Sequence, residues 1–451
     1  MDLIKWSKEY WALLPIYLII ISIFSIFIFK LSTNFLIIPA ILGALLAVRY
    51  KRTLVVGRKY WAGIFIIVIV MFAFHVRMLD YRWPYLRNID SYMFYRQMDY
   101  IVQNNGIMPE RDQLILAPDG WPIRHELFPW QYLGAFTFMF TRLVFPELQL
   151  WQFLIYLPAL VASLAAIPMY YIGKMLYDKK AGVLAALFIV FDFSNLSRSL
   201  GGDPDTDAIV ILVPLIVMAL FLFTYKYINS NGLNKRSLIY SIITGIAMAL
   251  WAHTWEGYWY ALWLITAMIS IKIIIFAARH RKLNQILKES KPLIVSYVII
   301  LAILFMLTYP AYGAEKLQNF LGPFKFQQLK SEEGIEFPNV YVSVAELQGG
   351  DIRGVIQRTS AINFESAPLL ILISPFFLMI YALTYLAYSF YRKRQHLDTL
   401  ILLLVWFVGP FMATVVAIRF STLFSAPIAI GSAIFLAKII NIVAHKEKLE
   451  D

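Results

Sequence analysis

The chain has 451 residues, of which 60% are apolar, 16% aromatic and only 15% charged, with a mean hydropathy of +0.67; this excludes an ordinary soluble globular protein and identifies a polytopic membrane protein. Its formal charge of +12 sits in short Lys and Arg clusters between apolar runs, as the positive-inside rule requires, so nucleic acid is set aside as a partner. The absence of cysteine excludes disulfides, cysteine-ligated zinc and thiol catalysis, and leaves oxygen and histidine as the metal-binding groups.

The first apolar run, residues 10–29, follows Lys5 and Lys8 and lacks a small-residue cleavage site, so it is expected to be a retained anchor. A shorter run at 35–48 leads into Arg49, Lys51, Arg52, Arg58 and Lys59, a cluster that marks the cytoplasmic side. Residues 1–59 thus read as a membrane hairpin, ahead of a main transmembrane domain over 60–443 and a cytoplasmic tail, 444–451. The run at 61–79 delivers residues 80–148 to the external face, where Trp83, Pro118 and Trp121 punctuate a long mixed loop. Within that loop the apolar stretch 128–145 is expected to be a helix lying on the membrane surface.

Residues 150–172 return inward to Lys174, Lys179 and Lys180, and 181–196 go out again, so Gly201-Gly-Asp-Pro-Asp-Thr-Asp207 is external, beside Asp90. Residues 208–224 pass inward to Lys226, Lys235 and Arg236; 238–253 pass outward; 258–277 pass inward to Arg279, Arg281 and Lys282. The run at 292–308 leads to a second long external loop, 310–366, which holds Glu346. Residues 367–390 end inside at Arg392, Lys393 and Arg394, the next run emerges at Arg419, and 423–443 ends inside at Lys446 and Lys448. The expected fold is all-α and polytopic, with about 12 transmembrane helices and two long external loops.

This alternation puts Asp90, Asp205, Asp207, Glu346 and Arg419 on one side of the membrane although they come from well-separated segments. Carboxylates at a membrane edge are costly unless something cationic or catalytic holds them. Acidic side chains from separate loops suit a hard divalent ion, Mg²⁺ or Mn²⁺, serving as Lewis acid or template. Each position has a plainer reading as well. Asp90, and the Asp or Thr residues before 208, fit helix N-caps; Glu346 fits a solvated loop; Arg419 fits a snorkelling interfacial arginine, although its flanks are nearly uncharged. His253-Thr-Trp-Glu256 offers a fifth acid, but with Trp251, Trp255, Trp259 and Tyr260 it reads better as an interfacial aromatic belt. Arg111-Asp112 and Asp119-Gly120 read as loop and turn.

Four motifs in order, Asn88-Ile-Asp-Ser-Tyr-Met-Phe94, Gly202-Asp-Pro-Asp-Thr-Asp207, Ser343-Val-Ala-Glu346 and Arg419-Phe-Ser-Thr-Leu-Phe-Ser-Ala-Pro427, resemble those of the catalytic subunit of oligosaccharyltransferase, a membrane glycosyltransferase of the GT-C type. The resemblance covers roughly residues 60–443 and makes that span the catalytic transmembrane domain. It implies transfer of an oligosaccharide from a polyprenyl phosphate or pyrophosphate carrier to the side-chain amide of asparagine in proteins. It implies that Asp90, Asp205 and Glu346 ligate a divalent ion, with Asp207 a ligand or close neighbour, and that Asp90 and Glu346 engage the acceptor amide. It further matches Arg419 to the donor phosphate, and Arg358, in Ile356-Gln-Arg-Thr-Ser360, to a position near the acceptor peptide.

The partners so implied are a polyprenyl-linked oligosaccharide, an acceptor protein or peptide and membrane lipid. The implied setting is a prokaryotic, archaeal cell membrane with the active site outside. The Trp-Trp-Asp-Tyr-Gly type motif that reads the acceptor signal in this family does not occur in the 451 residues, and the expectation is a catalytic membrane part without the soluble domain that carries it. A partner subunit supplying that recognition is therefore one expectation, and a different acceptor another. Two alternatives stay open: a GT-C glycosyltransferase moving a single sugar from polyprenyl phosphate to a hydroxyl or lipid, and a transporter, whose acids would line an ion path.

Overall fold

The computed structural model describes residues 13, 16–20, 51–79, 81, 84–115, 117–123, 129–280, 282–314, 349–360 and 370–444. The expected run at 35–48 and most of 10–29 lie outside these residues. Long helices dominate, and among the described residues eight are long and apolar enough to cross a membrane. The protein is a multi-pass membrane protein.

Helix α1 (Lys51–Met78) leaves helical geometry at Tyr60, so its apolar part begins at Lys59. In the segment that follows, α2 (Ile89–Gln103) leads to a two-stranded hairpin in which β1 (Arg111–Asp112) pairs with β2 (Trp121–Pro122). The Arg96 guanidinium meets the buried Asp112 carboxylate at 2.6 Å and fixes this hairpin to α2. Helix α3 (Pro129–Arg142) falls within the apolar stretch 128–145 expected to be helical. It buries Trp130, Ala135 and Phe138 and exposes Phe136 and Phe140.

The run expected at 150–172 is two helices, α4 (Leu150–Ser163) and α5 (Ala166–Leu176). Helix α6 (Lys179–Phe191), capped by Asp178, stops at Asp192, which then caps the short α7 (Phe193–Ser197). Hydropathy cannot see either break, because both flanks are apolar. Helices α5 and α6 pack backbone to backbone: a Cβ on Gly182 would stand 2.6 Å from the Tyr170 carbonyl oxygen, and one on Gly173 2.9 Å from that of Ala181. Small residues permit such close approach where lipid supplies no hydrophobic drive between helices.

Helices α8 (Asp207–Asn231), α9 (Lys235–Thr254), α10 (Trp259–Arg279) and α11 (Leu283–Tyr312) continue the bundle. Helix α11 starts well before the expected 292, because its first turns are polar and a hydropathy window registers only the apolar part. A short α12 (Ile352–Ser360) occupies what reads in sequence as loop. Helix α13 (Pro375–Lys393) begins later than expected, with Pro375 in its first turn, followed by α14 (Leu397–Val416) and α15 (Ser421–Val443). Helix α15 is buried almost all round, from Leu423 to Ala437, and packs against α6, α13 and α14. A helix apolar on every face belongs in the middle of a bundle.

Polar ties define the two ends. At one, Lys180 Nζ donates to Asn441 Oδ1 at 2.7 Å, Asn441 Nδ2 donates to Asp178 Oδ2 at 3.0 Å, and Lys272 meets Asp398 at 2.6 Å. At the other, Asn195 Nδ2 donates to Ser425 Oγ at 2.8 Å. The aromatic belt expected around His253 is corrected: Trp251 and Tyr260 are buried. Tyr260 donates to the Leu423 carbonyl at 3.0 Å and accepts from Trp406 Nε1, so these rings tie α10 to α14 and α15. Glu256 is exposed in a 3₁₀ turn, Glu256–Tyr258.

Candidate functional site

At the Ser425 end the loop before α8 is held from several directions. Gly201 N–H donates to the Arg77 carbonyl and Gly202 N–H to that of Ile155, both at 2.9 Å, while Gly202 O accepts from Arg87 N–H at 2.7 Å. These approaches require glycine. A Cβ on Gly201 would lie 2.6 Å from Met78 Sδ; Gly202 has φ +83° and its Cβ would lie 2.9 Å from the Tyr81 ring, a conformation that side chains avoid. From the other side, buried Trp130 donates its indole N–H to the Pro204 carbonyl at 2.9 Å.

The residue that joins this loop to the Asp90 segment is Asp203, which sequence reasoning left out of the site. Its carboxylate, 9% exposed, accepts from Asn88 Nδ2 at 2.6 Å and from Ser91 Oγ at 2.8 Å. Burial is the main cause that raises Asp203 above the ordinary carboxylate range, and the Ser91 bond opposes it. The sequence held a signal: the Gly-Gly pair before Asp203, and two hydrogen-bonding residues flanking Asp90.

Asp90 stands exposed in the first turn of α2, where the helix dipole favours a negative charge. It is not the cap. Asn88 holds that position, and its side chain turns to Asp203 instead of capping. Asp205 is half-buried, and one of its oxygens accepts from both the backbone and the hydroxyl of Thr206. Burial first, and the charge of Asp207 second, push Asp205 up to about 6. Asp207, the first residue of α8, pairs with Arg198 at 3.0 Å. Among the described residues no three acidic or histidine side chains form a cluster able to hold a metal ion, and Glu346 lies outside the described residues.

Arg419 sits partly buried in a 3₁₀ turn, Ile418–Phe420, between α14 and α15. That turn belongs to the same end of the bundle as the acidic loop. The Asn195–Ser425 bond joins it to α7, Asn195 O accepts from Ser199 Oγ at 2.6 Å, and Arg77 Nε donates to that same hydroxyl at 2.9 Å. Arg358 is exposed on α12, which packs against α7 and α15, and Gly350 N–H, just ahead of α12, donates to the Val415 carbonyl at 3.1 Å.

Beside the Arg419 turn, a groove of about 670 Å³ runs between α10 and α14, lined by Trp263, Leu264, Leu404, Val408, Met412 and Phe420 among others. Its walls are apolar and extend to Phe420, the chain neighbour of Arg419. An elongated apolar molecule is the ligand such a shape suits.

A family model described as oligosaccharyl transferase STT3, N-terminal, matches residues 60–448. Among curated proteins the chain is similar to the dolichyl-phosphooligosaccharide-protein glycotransferase of Methanococcus voltae, 22% identical over 63% of this chain and 33% of that protein. It is also similar to glycotransferase 1 of the same description from Pyrococcus horikoshii, 24% identical over 60% of this chain and 26% of that protein. Among solved structures it is similar to the archaeal oligosaccharyltransferase AglB from Archaeoglobus fulgidus in complex with an inhibitory peptide and a dolichol-phosphate (TM-score 0.57, 19% identity, 88% of this chain and 53% of that chain). A second Archaeoglobus fulgidus structure, tethered with an acceptor peptide containing the NVT sequon, gives TM-score 0.58 at 19% identity over 88% of this chain and 51% of that chain. The chain thus matches between a quarter and a third of the length of these curated relatives, and the structural likeness is one of fold.

Proposed function

The chain belongs to the oligosaccharyl transferase STT3 family, and from that premise we propose that it moves an oligosaccharide from a polyprenyl phosphate or pyrophosphate carrier to the side-chain amide of asparagine in an acceptor protein. The observation that supports the reading is the joining, through Asp203, of the Asp90 turn to the Asp205 loop, at the end of the bundle where α7 bonds to the start of α15, just after Arg419, with an apolar groove beside that turn.

The chemistry asked of these residues is specific. An amide nitrogen is a poor nucleophile because resonance ties up its lone pair, with a rotation barrier of about 18–20 kcal/mol. Asp90 and Glu346 would accept hydrogen bonds from the two amide hydrogens and favour a rotated amide. The freed nitrogen forms the N–C bond to the anomeric carbon, the C–O bond to the carrier phosphate breaks, and one amide proton passes to a carboxylate. Charge gathers on the leaving phosphate, where Arg419 would meet it with a forked donor set.

The oxygen donors present fit a hard divalent ion, Mg²⁺ or Mn²⁺. Asp205 in particular has a half-buried carboxylate whose raised proton affinity a neighbouring cation would offset. Asp90, Asp205 and Glu346 would hold the ion, which would orient the carboxylates and screen their mutual repulsion. The Arg198 pairing of Asp207 favours a role for Asp207 as close neighbour. Arg358 on α12 would lie along the acceptor path, and a partner subunit would supply acceptor recognition beyond it. The site would face the outside of the cell.

Purified protein incubated with Mn²⁺, a labelled polyprenyl-linked glycan and an Asn-x-Thr peptide is expected to yield labelled glycopeptide, and excess chelator to abolish it. Full transfer in chelator would remove the metal-dependent scheme. Release of the sugar onto a hydroxyl or lipid with no asparagine modified would replace the proposed acceptor.

A further inference from the structure

We propose that Asp203 is a positioning residue that clamps the Asp90 turn to the Asp205 loop, so that the two acids stand in register before any ion or substrate arrives. The inference rests on the transferase reading for its consequence and on the hydrogen bonds alone for its geometry. Asn88 and Ser91 bracket Asp90 in sequence, and both side chains end on one Asp203 carboxylate, at 2.6 and 2.8 Å. Asp203 precedes Asp205 by two residues on a loop already fixed through Gly201, Gly202 and Pro204. The carboxylate is buried and each of its oxygens is engaged by a neighbouring side chain, so it acts through Asn88 and Ser91. The Arg87 N–H to Gly202 carbonyl bond joins the same two segments through the backbone, and the Arg87 charge acts on Asp203. Groups that orient ligands without touching the metal change affinity or activity by about 10- to 100-fold when removed.

The absence of native cysteine allows a direct test. Spin labels placed at Y92C, on the exposed face of α2, and at F193C, exposed on α7, report the separation of the Asp90 turn from the bundle in the metal-free protein. D203A is expected to broaden that distance distribution and to weaken Mn²⁺ binding, read by titration, about 10- to 100-fold. D203N is expected to restore both: its amide oxygen still accepts from Asn88, and its NH₂ donates to Ser91, whose hydroxyl reverses roles. S91A, which removes a single bond, is expected to broaden the distribution part-way and covers a D203A that fails to fold. An unchanged distribution in D203A and S91A overturns the proposal. So does a D203N that keeps the narrow distribution yet loses Mn²⁺ as D203A does, because the charge itself would then be holding the ion. A wild-type chain that binds no Mn²⁺ but still loosens in D203A upholds the clamp and removes the metal-dependent transferase reading.

Discussion

Asn195 donates its side-chain amide to the Ser425 hydroxyl at 2.8 Å, across 230 residues of chain. This bond places the segment that follows the Arg419 turn and the approach to the acidic loop at the same end of the bundle.

Arg419→Ala is expected to lower transfer by about 10²- to 10³-fold, the scale on which a preorganised charge-stabilising donor acts. Arg419→Lys is expected to recover part of it, since a point charge replaces the fork. Donor titration with a labelled carrier lipid checks this. Unchanged donor affinity and rate would return Arg419 to an interfacial anchor.

Asp90→Ala and Glu346→Ala are each expected to remove transfer by a similar factor while leaving membrane insertion intact, because Asp90 is exposed and contributes little to packing. Parallel measurement of glycopeptide formation and of the amount of folded protein in detergent separates the two effects. Normal turnover in Asp90→Ala would remove it from the site.

Gly202→Ala is expected to cost about 1–3 kcal/mol, the range for a side chain forced into a sparsely populated backbone region. The positive φ and the Tyr81 ring close to the new Cβ both act in that direction. Thermal unfolding in detergent reads the loss, and transfer should fall with it. Gly232→Ala, with φ +67° but nothing within 4 Å of its Cβ, provides the control for backbone strain alone.

The pH dependence follows from Asp205. Its carboxyl lies at about 6 in the folded chain against an ordinary value of 3.8. Between those values the folded state holds more protons than the unfolded, so metal-free stability falls as pH rises through that window. Divalent-ion affinity runs the other way and should weaken by roughly tenfold per pH unit below about 6, as one proton competes with the ion. Asp205→Asn is expected to flatten the stability slope; an unaltered slope in that variant would assign the titration elsewhere.

Gly409 opens onto the groove with nothing within 4 Å of its Cβ position. Gly409→Phe is expected to fill part of that space and raise KM for carriers with long polyprenyl chains by about tenfold, a loss of roughly 1.4 kcal/mol, while sparing short-chain analogues. Equal effects on both lengths would separate the groove from carrier binding.

Much of the helical framework was legible because a membrane-spanning helix announces itself by length and apolarity. Thus α8, α9, α10 and α15 fall close to where hydropathy puts them. The signal fades where polarity and helix coexist: the early turns of α11 and the whole of α12 carry charges that a window average discounts. In the site, Asp90 and Asp205 stood out by residue type and sidedness, but Asp203 did not. A buried carboxylate is recognised only by its partners, and these lie 112 and 115 residues away. The same holds for Tyr260, whose chemistry suits either a lipid interface or a buried hydrogen bond, and which the fold commits to the latter.

Among the described helices, the one that emerges latest from the ribosome, α15, fills the centre. Earlier helices must therefore sit in the bilayer around an incomplete middle, with the small residues of α6 and the apolar faces of α13 and α14 awaiting a tenant. Insertion and completion are coupled as a result: a nascent chain halted before Ser425 has inserted most of the described spans yet lacks the hydroxyl that Asn195 meets across the bundle.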